Sequence, residues 1–290
     1  MTPSVTAAIV ALNEERNLPG LLDSLNRVDE VVVVDGGSRD ATVRIARERG
    51  CRVAIVPFDN FARQRNRAID LSRGDWVLSI DADERVTPAL AAEMNERIAR
   101  GRAAAYRVPI RSTIFGRRMR FGGTQDDRPI RLFRRKAARW TGDVHEVLRV
   151  AGRIDRLRGW LEHHTLPDLA SFLAKVRRYT TLEAEARVAA GRPPRKRDLW
   201  LAPPREVFRR LLWKHGYLDG PSGWAFCLLS GLSEAVLARR HRRLWEVAQA
   251  SAWLPAAEKV LETAGGDFVS NRESSRSRTE LLLSPAVSLR

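Results

Sequence analysis

The sequence predicts an α/β fold: a mostly parallel sheet with helices on both faces, followed by a helical appendage. Three observations predict it. Apolar runs alternate with segments of helical periodicity through the first hundred residues, the pattern of parallel strands joined by crossover helices. The runs are continuous rather than alternating, as strands covered on both faces are. Polar turns follow the first, second and fourth runs, at the strand ends where open sheets of this class bind ligands.

The elements follow in order. Thr6–Leu12 is an apolar run ending at Asn13-Glu14-Glu15. Asn17–Asn26 places Leu18, Leu21, Leu22 and Leu25 at helical spacing. Val31–Val34 is a β-branched run ending at Asp35-Gly36-Gly37-Ser38, and Asp40–Arg49 reads as a helix stopped by Gly50. Arg52–Val56 is a strand, Phe61–Ser72 a helix, and Trp76–Ile80 a strand running into Asp81-Ala82-Asp83-Glu84. Thr87-Pro88 then opens a helix to about Arg100, with proline at its first position.

Beyond Ala104 the pattern loosens. Tyr106–Ile110, Ile130–Phe133 and Val144–Val150 read as strands, and the basic, glycine-containing stretch Phe115–Asp127 as a binding loop. Asp168–Ala190 is predicted as an amphipathic helix, capped by Asp168, with Leu169, Phe172, Leu173, Val176, Tyr179 and Leu182 on one face. Further helices are predicted at Pro204–His215, Trp224–Glu246 and Leu254–Thr263. The expected organisation is a catalytic domain over 1–165, a helical region over 166–264 and a disordered, Ser/Arg-rich tail over 265–290.

The chain has 290 residues and a net charge of +16. Residues 1–100 carry 14 basic and 16 acidic side chains, so the whole excess lies beyond them. That asymmetry calls for an anionic partner on the C-terminal side: nucleic acid, a phosphorylated glycan or a membrane surface. The two cysteines, Cys51 and Cys227, suggest neither a disulfide framework nor a zinc site, which fits a reducing compartment. No signal peptide is expected at the N-terminus, and no run is long enough to span a bilayer.

Asp81 and Asp83, two residues apart beyond a buried strand, can bring oxygen ligands to Mg²⁺ or Mn²⁺. Such an ion can bind a diphosphate and neutralise its charge as it leaves. A solvated acidic turn is the alternative reading of the same residues.

The ordered set Ala11-Leu12-Asn13-Glu14-Glu15, Val32 through Asp40, Arg65-Asn66 and Trp76 through Glu84 resembles family 2 glycosyltransferases. Gly122-Gly123, Arg131 through Arg134, Gly142 through Glu146 and Gly216 through Gly220 resemble the subgroup of lipopolysaccharide-core β-glucosyltransferases. The resemblance implies a GT-A type, Rossmann-like fold, a nucleotide-sugar donor, a divalent metal and inversion at the anomeric carbon. It implies that Asn13, Glu14, Asp35, Gly36, Arg65, Asp81, Ala82 and Arg131 bind the donor, with Glu14 and Asp35 edging the base. Asp83, with Asp81, would hold the metal. A base must take the acceptor proton; Glu146 is favoured, His145 orients it or acts itself, and Asp127 is the second candidate. Arg128, Arg131 and Arg134 are expected to share one strand face; facing the cleft they would hold diphosphate or a phosphorylated acceptor, and otherwise they are a solvated edge that discourages strand pairing. His163-His164 cannot ligate jointly, because strand neighbours point to opposite faces, but one of them can reach the diphosphate.

Five of the eight tryptophans lie between Trp200 and Trp253, interleaved with arginine and lysine. That is the composition of an interfacial membrane contact, although the same residues could form a helical core. The expected setting is the cytoplasmic face of the inner membrane, with the enzyme peripheral and its acceptor a lipid-anchored saccharide. A polyprenyl phosphate or protein acceptor is the alternative. A basic nucleic-acid-binding protein is the reading from another class. It leaves Asp35, Asp81 and Asp83 unexplained, and no nucleic-acid partner is expected.

Overall fold

A computed structural model describes residues 3–142 and 146–263. Four parallel strands form its centre: β1 (Val5–Ala11), β2 (Glu30–Asp35), β3 (Arg52–Ile55) and β4 (Trp76–Asp81). They lie in the order β4-β1-β2-β3. Helices α1 (Leu18–Ser24), α2 (Thr42–Glu48) and α3 (Phe61–Leu71) connect them. Alternation along β1 sorts the layers. Ala7, Ile9 and Ala11 pack with Leu18 and Leu21 of α1 and Ala46 of α2, whereas Ala8 packs with Ala68 and Ile69 of α3 on the other face. Helix α4 (Pro88–Arg100) joins the first layer through Leu90, Met94 and Ile98. Both faces are therefore covered, which is why these strands read as unbroken apolar runs.

Register positions the site. Ala11 pairs with Asp35, and Val10 with Asp81, so the turns after β1, β2 and β4 emerge side by side on one rim.

The sheet is extended to seven strands by β6 (Ala105–Arg107), β9 (Ile130–Arg134) and β12 (Ile154–Arg156), in the order β12-β6-β9-β4. β9 runs antiparallel to both β4 and β6. Tyr106–Ile110 is not one strand: β6 ends at Arg107, and β7 (Ile110–Ile114) starts a second sheet. That sheet has the order β5-β13-β7-β8, with β5 (Glu84–Val86), β13 (Leu161–Leu166) and β8 (Arg117–Arg118). The expected loop Phe115–Asp127 thus begins as a tight hairpin. β10 (Ala138–Thr141) and β11 (Val147–Val150) form a separate antiparallel pair.

Helix α5 (Leu169–Ala189) starts where predicted, with Asp168 accepting from the Ser171 backbone N–H at 2.7 Å. Its apolar face is only partly covered: Phe172 is buried, while Leu169, Leu173, Tyr179 and Leu182 are exposed. Helix α6 (Asp198–Phe208) begins six residues before the predicted Pro204 and carries Pro203 and Pro204 within it. A π-helical turn, Arg209–Trp213, and a 3-10 turn, Gly216–Asp219, follow. Helix α7 (Gly220–Thr263) is continuous across the gap predicted between two separate helices.

Residues Met1–Leu244 form one compact unit. The change from sheet to helix after β13 falls inside it. The second unit, Trp245–Arg290, is helical to Thr263. The tail predicted over 265–290 lies outside the described residues.

Candidate active site

The turn after β1 is shaped by Asn13, which sits in the left-handed region at φ 57°. Asn13 accepts from the Arg39 N–H at 2.9 Å and donates its own N–H to Ser38 Oγ at 2.8 Å, locking the first turn to the second. Glu14 accepts from Asn17 Nδ2 at 2.8 Å and lines a cleft of about 670 Å³ beside Asp81, Ala82 and Asp83. Burial, with Asp83 and Asp81 nearby, pushes the Glu14 carboxyl up despite that hydrogen bond.

Asp35 is 1% exposed. Its Oδ1 accepts from the N–H groups of Gly37 and Ser38 at 2.9 and 2.8 Å, and its Oδ2 from Ser38 Oγ. Gly36 donates its N–H to the Ala11 carbonyl at 2.9 Å. Asp35 and Gly36 thus build the turn that follows β2.

Asp81 sits in an arginine clamp. Its Oδ1 accepts from Arg65 Nη2 at 2.9 Å and its Oδ2 from Arg131 Nη2 at 2.7 Å. The same Arg131 nitrogen reaches Glu84 Oε1 at 2.6 Å, and Glu84 Oε2 accepts the Asp81 N–H at 3.0 Å. Burial alone would raise the Asp81 carboxyl; the Arg131 and Arg65 guanidiniums hold it far below the usual range. Burial dominates at the fully enclosed Glu84 and pushes it up to about 7. Arg131 is also buried, and its guanidinium spaces two carboxylates. The shared face for Arg128, Arg131 and Arg134 is corrected. Residues three apart on a strand point to opposite sides, and Arg134 instead covers Trp76 at 5.0 Å and donates to the Gly101 and Ala103 carbonyls.

Asp83 is differently placed. β13 pairs with β5 so that His163 lies opposite Glu84, and His163 Nε2 comes 3.1 Å from Asp83 Oδ2. Lys175 Nζ on α5 is 3.8 Å from the same oxygen. Burial would raise the Asp83 carboxyl and lower the His163 imidazole, but their mutual contact drives each the opposite way. Lys175 was not among the predicted binding residues, and His163 was expected only as one of two histidines that can reach the diphosphate, not as a partner of Asp83. Strand alternation was legible, but not that a partner for His163 would arrive from a turn 80 positions away.

The Asp83 carboxylate is the oxygen ligand that Mn²⁺ or Mg²⁺ takes, and the neutral His163 imidazole could join it on Mn²⁺. Among the described residues no group of three or more His, Cys, Asp or Glu could hold a metal ion, so these residues build no closed cage. Two donors at the rim of a cleft fit an ion that takes its remaining ligands from a substrate diphosphate and water. Asp81, with both oxygens held by guanidiniums, does not add to that set in this structure.

Glu146 Oε1 lies 4.0 Å from Arg65 Nε, and the Arg65 guanidinium stacks 4.9 Å from the Trp140 ring. Arg65 thus links Asp81 to Glu146. Arg65 Nε and Arg131 Nε are buried without a hydrogen-bond partner among the described residues. Asp127 is exposed and lines a neighbouring pocket with Ser112, Thr124, His163 and Phe226. His145 lies outside the described residues.

Comparison with known proteins identifies the family. A model of the family described as Glycosyl transferase family 2 matches residues 6–151. The chain is 30% identical to the Lipopolysaccharide core biosynthesis glycosyltransferase LpsC of Rhizobium meliloti (strain 1021), over 82% of this chain and 93% of that protein. It is 26% identical to the uncharacterized glycosyltransferase RT0209 of Rickettsia typhi, over 65% of this chain and 69% of that one. Among solved structures, S. aureus TarS 1-349 covers 86% of this chain and 92% of its own, at 12% identity and a TM-score of 0.43. The family model spans the rim built by β1, β2 and β4, and the match to LpsC runs well beyond it: the chain belongs to glycosyl transferase family 2.

Proposed function

We propose that this glycosyltransferase moves a hexose from a UDP-linked donor to a hydroxyl of a lipid-anchored envelope saccharide, such as lipopolysaccharide core, with inversion at the anomeric carbon. The acceptor class rests on the similarity to LpsC, and the donor class on the family. The observation that carries the chemistry is the Asp83–His163 pair, 3.1 Å apart at the edge of the cleft that Glu14 and Lys175 also line.

Asp83, joined by His163 on Mn²⁺, would hold Mn²⁺ or Mg²⁺, which would neutralise charge on the departing diphosphate. Lys175 adds a cation beside the same phosphates. Arg65 and Arg131 fix Asp81 so that its carboxylate meets the ribose or the sugar in one orientation. Glu146, held near Arg65, takes the proton of the acceptor hydroxyl as the glycosidic bond forms. Asp127, which lines a pocket together with His163, is the second candidate for that task. The setting is the cytoplasmic face of the inner membrane. No helix among the described residues is long and apolar enough to cross a membrane.

The test is donor turnover against a panel of nucleotide sugars with Mn²⁺ or Mg²⁺, with and without chelator. Asp83→Asn is expected to lower turnover by about 10²–10⁴-fold and to weaken Mn²⁺ binding in calorimetry. Full turnover in that variant would refute the metal role. Glu146→Gln is expected to lower transfer by about 10²–10⁴-fold with donor affinity retained. Loss in Asp127→Asn instead would move the base to Asp127, and a phosphate acceptor would need neither.

A further inference from the structure

The hairpin formed by α6 and α7 has a feature that the transfer chemistry does not use. A Cβ at Gly231 would collide with the Val207 side chain and lie 3.0 Å from the Pro203 carbonyl. Near the other end, Gly216 approaches both Cys227 and the Arg210 carbonyl. Contacts at 203 and 207 pair with 231, and those at 210 and 216 with 227, so the two helices run antiparallel.

Several positions at or beside these contacts are followed by a large apolar residue. On α6 and the turn after it, Val207 is followed by Phe208 and Leu211 by Leu212. On α7, Gly223, Cys227 and Gly231 are followed by Trp224, Leu228 and Leu232. One step along a helix rotates about 100° in a fixed sense. In an antiparallel pair, flanks displaced in the same sense from the contact lie on the same side. The hairpin therefore carries one continuous apolar side. Phe208, Leu212, Trp224, Leu228 and Leu232 are all exposed on it. Leu201, seven residues before Phe208 and so on the same side, is 59% exposed; Trp200 beside it is 77% exposed, and Trp213 at the bend is 75% exposed. Monomeric surfaces rarely leave such a run uncovered.

The open end of the same hairpin is basic. Arg195, Lys196 and Arg197 lead into α6, and Arg239, Arg242 and Arg243 continue α7 beyond Leu232; all six are exposed. A 2.9 Å contact between His241 Nε2 and the Arg192 carbonyl holds the two segments together. Tryptophan and leucine on a helical face, bordered by arginine and lysine, match a bilayer interface: rings and aliphatic chains enter the headgroup layer, and guanidiniums meet anionic phosphates.

We propose that this side of the α6–α7 hairpin docks the enzyme on an anionic lipid bilayer. It deepens the reading of a lipid-anchored acceptor but is argued from the hairpin itself. The dock also touches the acceptor side: Phe226 of α7 lines the pocket that holds Asp127 and His163.

The test is flotation of the full chain with phosphatidylcholine vesicles, with and without phosphatidylglycerol. Donor turnover is measured on the same preparations without lipid. Binding is expected with phosphatidylglycerol present, falling as salt rises. Trp200→Glu with Trp213→Glu is expected to lower partitioning about tenfold or more, and Arg239→Glu with Arg243→Glu to a similar extent. Lipid-free donor turnover is expected to stay unchanged in both pairs. Equal binding to neutral and anionic vesicles would overturn the proposal. So would undiminished binding in the tryptophan pair, which would move the contact to another segment such as 264–290. A dimer in sedimentation that the tryptophan pair dissolves, without vesicle binding, would assign the face to a second copy. Absent donor turnover with intact vesicle binding would instead count against the transferase reading alone.

Discussion

The rim of the sheet and the C-terminal hairpin use the same residue types to opposite ends. At the rim, Arg131 is buried between Asp81 and Glu84, and at the opposite end of β4 Trp76 is 1% exposed beneath the guanidinium of Arg134. In the hairpin, Arg239 and Arg243 point to solvent and Trp200 is 77% exposed. A buried guanidinium is committed: its donors are used on internal carboxylates, and it fixes geometry. An exposed one keeps its donors for something outside the fold. Net charge alone could not separate these uses, because each arginine counts as one wherever it sits.

Removing the internal partner should have the largest effect. Arg131→Met leaves the buried Glu84 without its cation beside Asp81, which keeps only Arg65, and stability in urea is expected to fall by about 3–5 kcal/mol. A loss below about 1 kcal/mol would show that water or rearrangement replaces the clamp, and would break the contrast drawn here. Next come the tryptophans. Trp76→Ala opens a cavity against Tyr106, whose ring centre lies 5.7 Å away, and should lower stability by about 3–5 kcal/mol. Trp200→Ala should change it by no more than about 0.5 kcal/mol. Similar values for the two would mean that Trp200 is packed in solution.

The smallest effect sharpens the comparison within the hairpin. Glu206 accepts from Arg209 Nη2 at 2.7 Å and from Arg210 Nε. Burial would raise its carboxyl, but the two arginines outweigh that and hold it below its ordinary 4.5. A depressed carboxyl favours the folded state above its unfolded pKa, and the benefit is lost as pH falls through the lower, folded value. Glu206→Gln should therefore cost about 1 kcal/mol near neutral pH and almost nothing near pH ~3. A cost independent of pH would assign Glu206 to packing.

Much of the rim was legible, because unbroken apolar runs ending in Asn13-Glu14, Asp35-Gly36 and Asp81-Ala82-Asp83 carry their own directionality. Chain order then places the turns on one edge. The antiparallel strand β9 was not legible in its direction: Ile130–Phe133 looks the same run either way. Its misread face followed from treating residues three apart as neighbours on a strand. His163 was missed as a partner of Asp83 because pairing between β5 and β13 is a tertiary fact with no local signature. Pro203 and Pro204 hid the first turns of α6, since proline reads as the start of a helix rather than its interior. The apolar side of the hairpin was visible as composition, but its continuity needed the antiparallel contact at Gly231.

Asp219 ends the bend between α6 and α7 with its carboxylate buried, accepting the N–H groups of Arg120 at 3.1 Å and Phe121 at 2.8 Å. Arg210 Nη1 and the Lys214 carbonyl clasp the two ends of Gly122 at 2.9 Å each. The bend and the segment that leads into Thr124 and Asp127 are in effect one mechanical part. A force applied along the hairpin would be felt at the pocket lined by Asp127 and His163, so the two regions share a common joint.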